Sequence, residues 1–345
     1  MPSLYYQWGG MMAGISRCLA IESQSSAHKD FVLDIIAPLF VPFVFRVLHD
    51  AKHKGITSLF FCARDAYPLY RIAKLIVESH LVESYSISVE YLYISRTSLY
   101  EGDDSMKIGY LKQIGLASRS GKTAIVDVRS SAKQLHVLND LMRNNGFNEV
   151  FGYLFELCST TISQREGIRY HTELEDIYVK SLCATLNKLP SNWYMYELFF
   201  PLNSQRRTIG YHFNGQEFIP VLESEDNKEY RIHDLQKLVE WRENAIDKYT
   251  RLFIQLGLYN YSDEIFTQYA VPMLAEFFLC PSKHYLKALT EFYGQQPDGR
   301  YVPYVDDSLI RLPLNVFKHK TVWKRGTIFI TLPLWLCKIL YKINK

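Results

Sequence analysis

Apolar and polar positions in the first half of the chain follow two periods, one typical of strands and one typical of helices. Short apolar runs predict buried strands at residues 59–63, 88–95, 124–128 and 149–157. Around them, apolar residues at helical spacing predict helices at residues 38–54, 67–80 and 133–143. Strands that alternate with helices predict an α/β fold, with a Rossmann-like open parallel sheet and helices on both of its faces.

The pattern changes in the second half of the chain. A turn at Asn214-Gly215 predicts a β-hairpin, and amphipathic patterns at residues 232–258 and 263–279 predict a mostly helical C-terminal region. The predicted divisions are an N-terminal segment (1–28), a Rossmann-like catalytic domain (29–215), a helical region packed on it (216–323) and a basic amphipathic tail (324–345).

The tail combines basic and aromatic residues with an uncharged run from Gly326 to Cys337. This run is shorter than the roughly 20 residues that a helix needs to cross a bilayer. Lys324 and Arg325 precede the run and Lys338 follows it, a distribution that suits the anionic inner surface of a membrane. A terminal helix packed on the domain fits the same pattern, so both interpretations stay open.

Composition and charge argue against several classes of protein. A hydrophobic content of 48% and a charged content of 22% are typical of a globular chain, and a net charge of +3 gives no support for a nucleic-acid partner. The cysteines lie far apart, with no CxxC pair, which argues against a zinc site and a disulfide framework. No basic region precedes the apolar N-terminal stretch, so we expect no signal peptide and a cytoplasmic location, peripheral on the inner membrane.

Charged residues stand where three of the predicted strands end. Arg64 and Asp65 follow the first strand, Ser95 and Arg96 end the second, and Asp127 lies in the third. Because open parallel α/β sheets bind ligands at the carboxyl ends of their strands, we expect these side chains to share one crevice. Taken singly, an Arg-Asp pair is also typical of a strand-end salt bridge, and a Ser-Arg pair is typical of a capped turn.

The residues after the third strand favour a phosphorylated ligand. Arg129, Ser130 and Ser131 are predicted to form a polar loop before a helix that begins at Lys133. Arginine binds phosphoryl oxygens through two N–H groups, and the free N–H groups at the start of a helix bind anions. Paired aspartates suit a magnesium ion or sugar hydroxyls. The sequence therefore predicts a phosphorylated sugar bound together with Mg²⁺.

Motifs of other phosphate chemistries do not occur in the sequence. A haloacid dehalogenase-type phosphatase needs a second aspartate two positions after its nucleophile, but Tyr67 and Arg129 stand at those positions. Neither a P-loop nor the dinucleotide-binding glycine pattern is found. By contrast, residues 123–135 follow the general phosphoribosyltransferase pattern, in which an apolar strand leads to an acidic residue and then to a loop of small residues.

Five stretches resemble the glycan phosphoribosyltransferase domain of bacterial polysaccharide loci, which is often fused to a haloacid dehalogenase-type phosphatase. They are residues 55–76, 91–99, 123–134, 196–211 and 322–326, within a region of about residues 30 to 330. The resemblance implies transfer of phosphoribose from phosphoribosyl diphosphate to a hydroxyl of a lipid-linked glycan. It also implies a separate phosphatase, as a partner, that removes the 5-phosphate to leave ribofuranose.

The residues that match the family pattern are Arg64, Asp65, Ser95, Arg96, Asp127, Gln134 and Glu197. The resemblance implies catalytic roles for Asp65, Asp127 and Glu197, with Asp65 and Asp127 also binding Mg²⁺. The residues assigned to the donor phosphates are Arg64, Ser95, Arg96, Arg129, Ser130, Ser131, Lys133 and Gln134. Among these, the two arginines at the strand ends would bind the diphosphate, and the 129–133 loop would bind the 5-phosphate.

The chain departs from the family pattern at two places. Ala66 stands where the family usually has glycine, and the loop after the third strand contains Arg129 and small residues in place of glycines. Glycines there would allow the backbone to approach a phosphate closely. Two other functions therefore stay open, a glycosyltransferase that uses another activated sugar and a non-catalytic member of a polysaccharide assembly complex.

Overall fold

A computed structural model gives the fold of the chain. It describes residues 4–21, 26–79, 85–118, 120–130, 133–157, 174–175, 206–224, 235–290, 293–295, 301–312, 321 and 323–337.

A parallel sheet forms the centre of the protein. Its strands are β1 (Ile56–Cys62), β2 (Ser88–Leu92), β3 (Lys122–Ser130), β4 (Phe151–Leu157) and the short β5 (Leu174–Glu175). They lie in the order β2-β1-β3-β4-β5, and every neighbouring pair is parallel. The predicted α/β class with a parallel sheet is therefore confirmed.

Helices flank the sheet. Those of the first half are α1 (Leu4–Ile21), α2 (Ala27–Phe31), α3 (Ala37–Lys54), α4 (Tyr67–Glu78), α5 (Arg96–Tyr100), α6 (Asp104–Gln113) and α7 (Lys133–Asn144). Those of the second half are α8 (Leu235–Gln255), α9 (Ser262–Ile265), α10 (Val271–Leu279), α11 (Lys283–Leu289) and α12 (Lys324–Thr331). The described residues also form two antiparallel hairpins, β6 (Thr208–Phe213) with β7 (Phe218–Leu222), and β8 (Tyr293–Gln295) with β9 (Tyr301–Pro303).

The alternation of side chains along β1 builds two cores, one on each face of the sheet. Leu59 and Phe61 join a large core with residues of α1, α3, α4 and α8. Phe60 and Cys62 point to the other face and join a smaller core with residues of α5, α6 and α7. Burial of both faces is what permits the nearly continuous apolar run of this strand, since successive side chains of a strand alternate between faces.

The helix predicted to begin at Pro38 begins eleven residues earlier, so this boundary was wrong. Ser26 caps it by accepting a hydrogen bond from the N–H of Lys29 at 3.3 Å. A π-helical turn, Val32–Ile36, then precedes Pro38, whose nitrogen cannot donate a hydrogen bond. Among the described residues, this stretch, Ala27–Lys54, is long and apolar enough to cross a membrane, but 89% of its apolar window is buried inside the protein, as in a core helix.

The β6–β7 hairpin forms at the predicted turn and packs against α6. Asn214 accepts hydrogen bonds from two turn N–H groups, and Gly215 adopts a φ of +98°, which favours glycine. The Tyr211 and Tyr110 rings stack at 4.5 Å between centroids. At Gly109 of α6, an added Cβ would lie 2.1 Å from the Phe218 ring, so this glycine allows the hairpin to sit directly on the helix.

We expect Gly109→Ala to destabilise the protein by about 1–3 kcal/mol, because Phe218 must move to accept the new methyl group. Gly210→Ala is the matched control, since its Cβ would meet no atom within 4 Å. Thermal unfolding of both variants measures the difference. Equal midpoints for the two variants would contradict the close packing of the hairpin on α6.

The first part of the predicted tail packs on the domain. Trp323, directly before the tail, is fully buried, with its ring 5.7 Å from that of Phe277. Its backbone N–H donates a hydrogen bond to the carbonyl of Tyr304 at 2.8 Å. In α12, Thr327 is also fully buried and accepts a hydrogen bond from the N–H of Asp306 at 3.2 Å. Of the two interpretations of the tail, a packed terminal helix describes residues 324–331.

Candidate active site at the carboxyl ends of β1 and β3

The strand order places a topological switch point between β1 and β3. β2 lies on one side of β1, whereas β3 and β4 lie on the other. The chain therefore passes from β1 to one side and, after β2, crosses back to the other side. The carboxyl ends of β1 and β3 lie at this switch point, where open α/β sheets bind ligands. Arg64 and Asp65 directly follow β1, and Asp127 belongs to the last part of β3. Three of the predicted site residues thus lie at this switch point.

β3 extends beyond the end of β1. The β1–β3 pairing stops at Phe61 with Val126, but the β3–β4 pairing continues to Ser130 with Leu157. Asp127 therefore lies beyond the last paired residue of β1, beside the turn that leads into α4. Its side chain points to the same face of the sheet as the smaller core.

The carboxyl group of Asp127 is half-buried and perturbed. Its Oδ1 accepts a hydrogen bond from the N–H of Val128 at 2.8 Å. Burial and then the negative charge of Asp65 raise the pKa of Asp127 to about 7, against the lowering effects of the Val128 N–H and the positive charge of Arg96. A carboxyl group with this pKa exchanges a proton readily at neutral pH, which is the property of an acid–base group.

Arg64 and Asp65 form an ion pair at the end of β1. The Arg64 Nε lies 3.6 Å from the Asp65 Oδ1, with side-chain exposures of 24% and 43%. The strand-end salt bridge considered from the sequence is therefore present. Half-exposed pairs of this kind add little to stability. The negative charge of Asp65 also raises the pKa of Asp127. Asp65 can therefore belong both to the ion pair and to a functional site.

Ser95 caps α5 and joins it to the hairpin. Its Oγ accepts a hydrogen bond from the N–H of Ser98 at 3.1 Å and donates one to the carbonyl of Thr208 at 2.5 Å. The capped turn considered from the sequence is thus present, and the hydroxyl is engaged in contacts within the protein. Arg96 is the first residue of α5 and is exposed. The strand predicted to end at Ser95 ends instead at Leu92, because the capping contacts of Ser95 begin a helix.

The remaining predicted residues fall into three groups. Arg129 and Ser130, predicted in a loop, extend β3 instead, because β4 continues beside them and pairs with both. The helix predicted from Lys133 begins there as α7, and Gln134 is half-buried in its first turn. Ser131 and Glu197 lie outside the described residues.

Sequence reasoning missed four tyrosines beside the carboxylates. We call Tyr67, Tyr70, Tyr91 and Tyr93 the tyrosine cluster. The ring centroids of Tyr67, Tyr70 and Tyr93 lie 5.4, 5.4 and 5.1 Å from that of Tyr91. The three-residue spacing of Tyr67 and Tyr70 could have indicated the part of the cluster on α4, since it places both side chains on one face of a helix. Tyr93 follows the end of β2, and no sequence spacing indicates its contact with Tyr91.

Cys62 lies between the same elements and is buried. Burial, and then the charges of Asp127 and Asp65, raise the pKa of its thiol. A thiol in this state is a small apolar residue and a poor nucleophile. It therefore belongs to the smaller core at the end of β1, next to the switch point.

Comparison of the chain with protein-family models and with curated proteins finds no match.

Proposed function

We propose that the chain is a glycan phosphoribosyltransferase with a Rossmann-like catalytic domain, acting at the cytoplasmic face of the inner membrane. It would transfer phosphoribose from phosphoribosyl diphosphate to a hydroxyl of a lipid-linked glycan. The observation that supports this most is the meeting of two interacting carboxylates, Asp65 and Asp127, with Arg64 and Arg96 at the switch point. A sugar diphosphate donor needs cations for its leaving group and carboxylates for its metal or hydroxyls.

The two carboxylates fit a magnesium ion. In proteins Mg²⁺ usually takes one or two carboxylates and completes its shell with water and substrate phosphates. Asp65 is close enough to raise the pKa of Asp127, and a cation between the two groups would relieve this repulsion. Asp65 and Asp127 would hold the ion, which would offset the negative charge of the donor diphosphate.

In the proposed transfer, the bond between ribose C1 and the diphosphate oxygen breaks, and a bond from C1 to the acceptor oxygen forms. The diphosphate leaves with the electron pair, and the acceptor hydroxyl loses its proton. Arg64 and Arg96 bind the departing diphosphate. Asp65, with 43% of its side chain exposed, receives the proton, whereas Asp127 also orients the ribose hydroxyls.

The remaining assignments follow from the resemblance of the sequence. Residues 129–133 and Gln134 would bind the 5-phosphate of the donor, and Glu197 would be a second candidate for the general base. We assign no phosphatase step to this chain, so a separate phosphatase would act on the product.

The first test measures donor binding. Phosphoribosyl diphosphate with MgCl₂ should raise the unfolding midpoint, since a ligand at 100 times its Kd stabilises the folded state by about 2.7 kcal/mol. Nucleotide sugars are tested in parallel as alternative donors. An unfolding midpoint that rises with a nucleotide sugar but not with phosphoribosyl diphosphate favours a glycosyltransferase that uses another activated sugar. The absence of a rise with any donor favours the non-catalytic alternative.

The second test identifies the product. We expect an extract of lipid-linked glycans, incubated with the protein, phosphoribosyl diphosphate and MgCl₂, to contain an acceptor heavier by one phosphoribosyl group. Mass spectrometry of the extract and assay of released diphosphate measure the reaction. An acceptor that gains unphosphorylated ribose would contradict the need for a separate phosphatase.

A further inference from the structure

The tyrosine cluster lies on the opposite side of Asp65 from Asp127. Tyr91 belongs to β2, which pairs with β1 on the side away from β3. Tyr67 opens α4 directly after the turn that carries Asp65. The turn therefore separates two surfaces at the same edge of the sheet, the switch point on one side and the tyrosines on the other.

The rings of the cluster form a partly exposed surface. All four tyrosines are half-buried, and the Tyr67 and Tyr93 rings meet the Tyr91 ring nearly edge-on, at 78° and 81°. Such a packed group of rings offers apolar faces held in fixed orientations. The Tyr70 hydroxyl already accepts a hydrogen bond from Lys74 at 3.3 Å.

The Tyr91 hydroxyl is the polar group that most needs explanation. Within the described part of the chain, it is buried and has no hydrogen-bond partner. Burial, followed by the nearby Tyr93 and Asp65, raises the pKa of Tyr91, so the group remains a neutral donor. A buried hydroxyl without a partner is costly, and a ligand that accepts its hydrogen bond removes that cost.

We infer that the tyrosine cluster is the subsite for the acceptor sugar ring and that the bound sugar presents its hydroxyl to Asp65. This inference rests on the proposed function. A sugar ring has an apolar face of C–H groups that suits the tyrosine rings and hydroxyls that suit Tyr91 and the Asp65 carboxylate. The donor then occupies the Asp127 side of the turn. Asp65, between the two surfaces, contacts the hydroxyl that must lose its proton.

The test uses methyl glycosides of glucose, galactose, rhamnose and N-acetylglucosamine as probes, titrated by NMR against the full chain. We expect at least one to bind, and Tyr67→Ala to weaken its binding about tenfold, the loss of one ring contact. Tyr91→Phe keeps the ring and removes only the hydroxyl, and it should weaken binding about fivefold. Tyr261→Phe is the control, because its ring packs on Trp8, outside the cluster.

Donor binding is measured on the same variants by thermal shift with phosphoribosyl diphosphate and MgCl₂, and it should be unchanged. If the wild-type chain does not bind phosphoribosyl diphosphate, the proposed function is refuted. The sugar titration then tests the tyrosine subsite independently of that function. Sugar binding that is equal in Tyr91→Phe, Tyr67→Ala and wild type would overturn the subsite, as would wild-type protein that binds the donor and none of the glycosides. Preferential binding of a free nucleoside would also overturn it.

Discussion

Asp127→Asn is expected to reduce phosphoribosyl transfer by about 10²–10³-fold, the range for loss of one group that stabilises charge in a transition state. The substitution preserves the size of the side chain and an oxygen that can accept the Val128 N–H, which now lies 2.8 Å from Oδ1. It removes the negative charge that would hold Mg²⁺ and the ribose hydroxyls. The rate of diphosphate release in the presence of donor, MgCl₂ and the glycan extract measures the effect.

The same substitution should stabilise the folded protein at neutral pH. Below about pH 4 the carboxyl group is protonated in both the folded and the unfolded chain, so it contributes no difference. As the pH rises from about 4 to about 7, the unfolded chain releases this proton while the folded chain retains it. The wild-type protein therefore loses stability over this window, and the loss is constant above it.

A pKa shift of this size corresponds to roughly 4 kcal/mol, and solvent around a half-buried group reduces the effect to about 1–2 kcal/mol. The Asn variant should thus unfold about 2–5 °C above wild type at pH 8 and at the same temperature near pH 4. Asp307→Asn, at an exposed aspartate, is the matched control. Near-normal transfer would remove Asp127 from the chemistry, and an Asn variant less stable than wild type at pH 8 would contradict the perturbed pKa.

The central sheet could be predicted because its signals are local. β1 and β4 are apolar runs buried on both faces, and Gly55, which ends α3 with a φ of +67°, is a strong stop signal. The ends of β2 and β3 were wrong because tertiary contacts determine them. Ser95 binds the hairpin through the carbonyl of Thr208, and β4 lengthens β3. Neither partner is close in sequence to the element that it changes.

The candidate site was predictable in part for a related reason. A charge at the end of a buried apolar run is visible in sequence, and parallel topology brings such charges to one edge, as for Asp65 after β1 and Asp127 in the last part of β3. The order of the strands is not visible in sequence, so the switch point between β1 and β3 could only be observed. The tyrosine cluster brings side chains of α4 next to Tyr91 of β2, so its formation also depends on the order of the strands.

Deletion of residues 324–345 is expected to abolish cooperative folding. It removes Phe329 and Ile330, which are 5% and 8% exposed, and the fully buried Thr327 that accepts the Asp306 N–H. Each buried apolar side chain stabilises the fold by about 1.5–3 kcal/mol, so the sum is comparable to the whole stability of many proteins. Thermal unfolding and solubility after expression measure the result. A truncated chain that unfolds cooperatively at the wild-type midpoint would show that α12 is not part of the core.

A shorter deletion separates folding from membrane binding. Removal of residues 338–345 leaves every contact of α12 described above in place, but it removes Lys338, Lys342 and Lys345. Each basic residue near an anionic surface contributes about 1 kcal/mol to binding. We therefore expect this variant to keep its unfolding midpoint and to sediment much less with phosphatidylglycerol vesicles than the full chain does. Equal sedimentation of the two chains would contradict the membrane interpretation, because the basic residues beyond α12 would then have no part in binding.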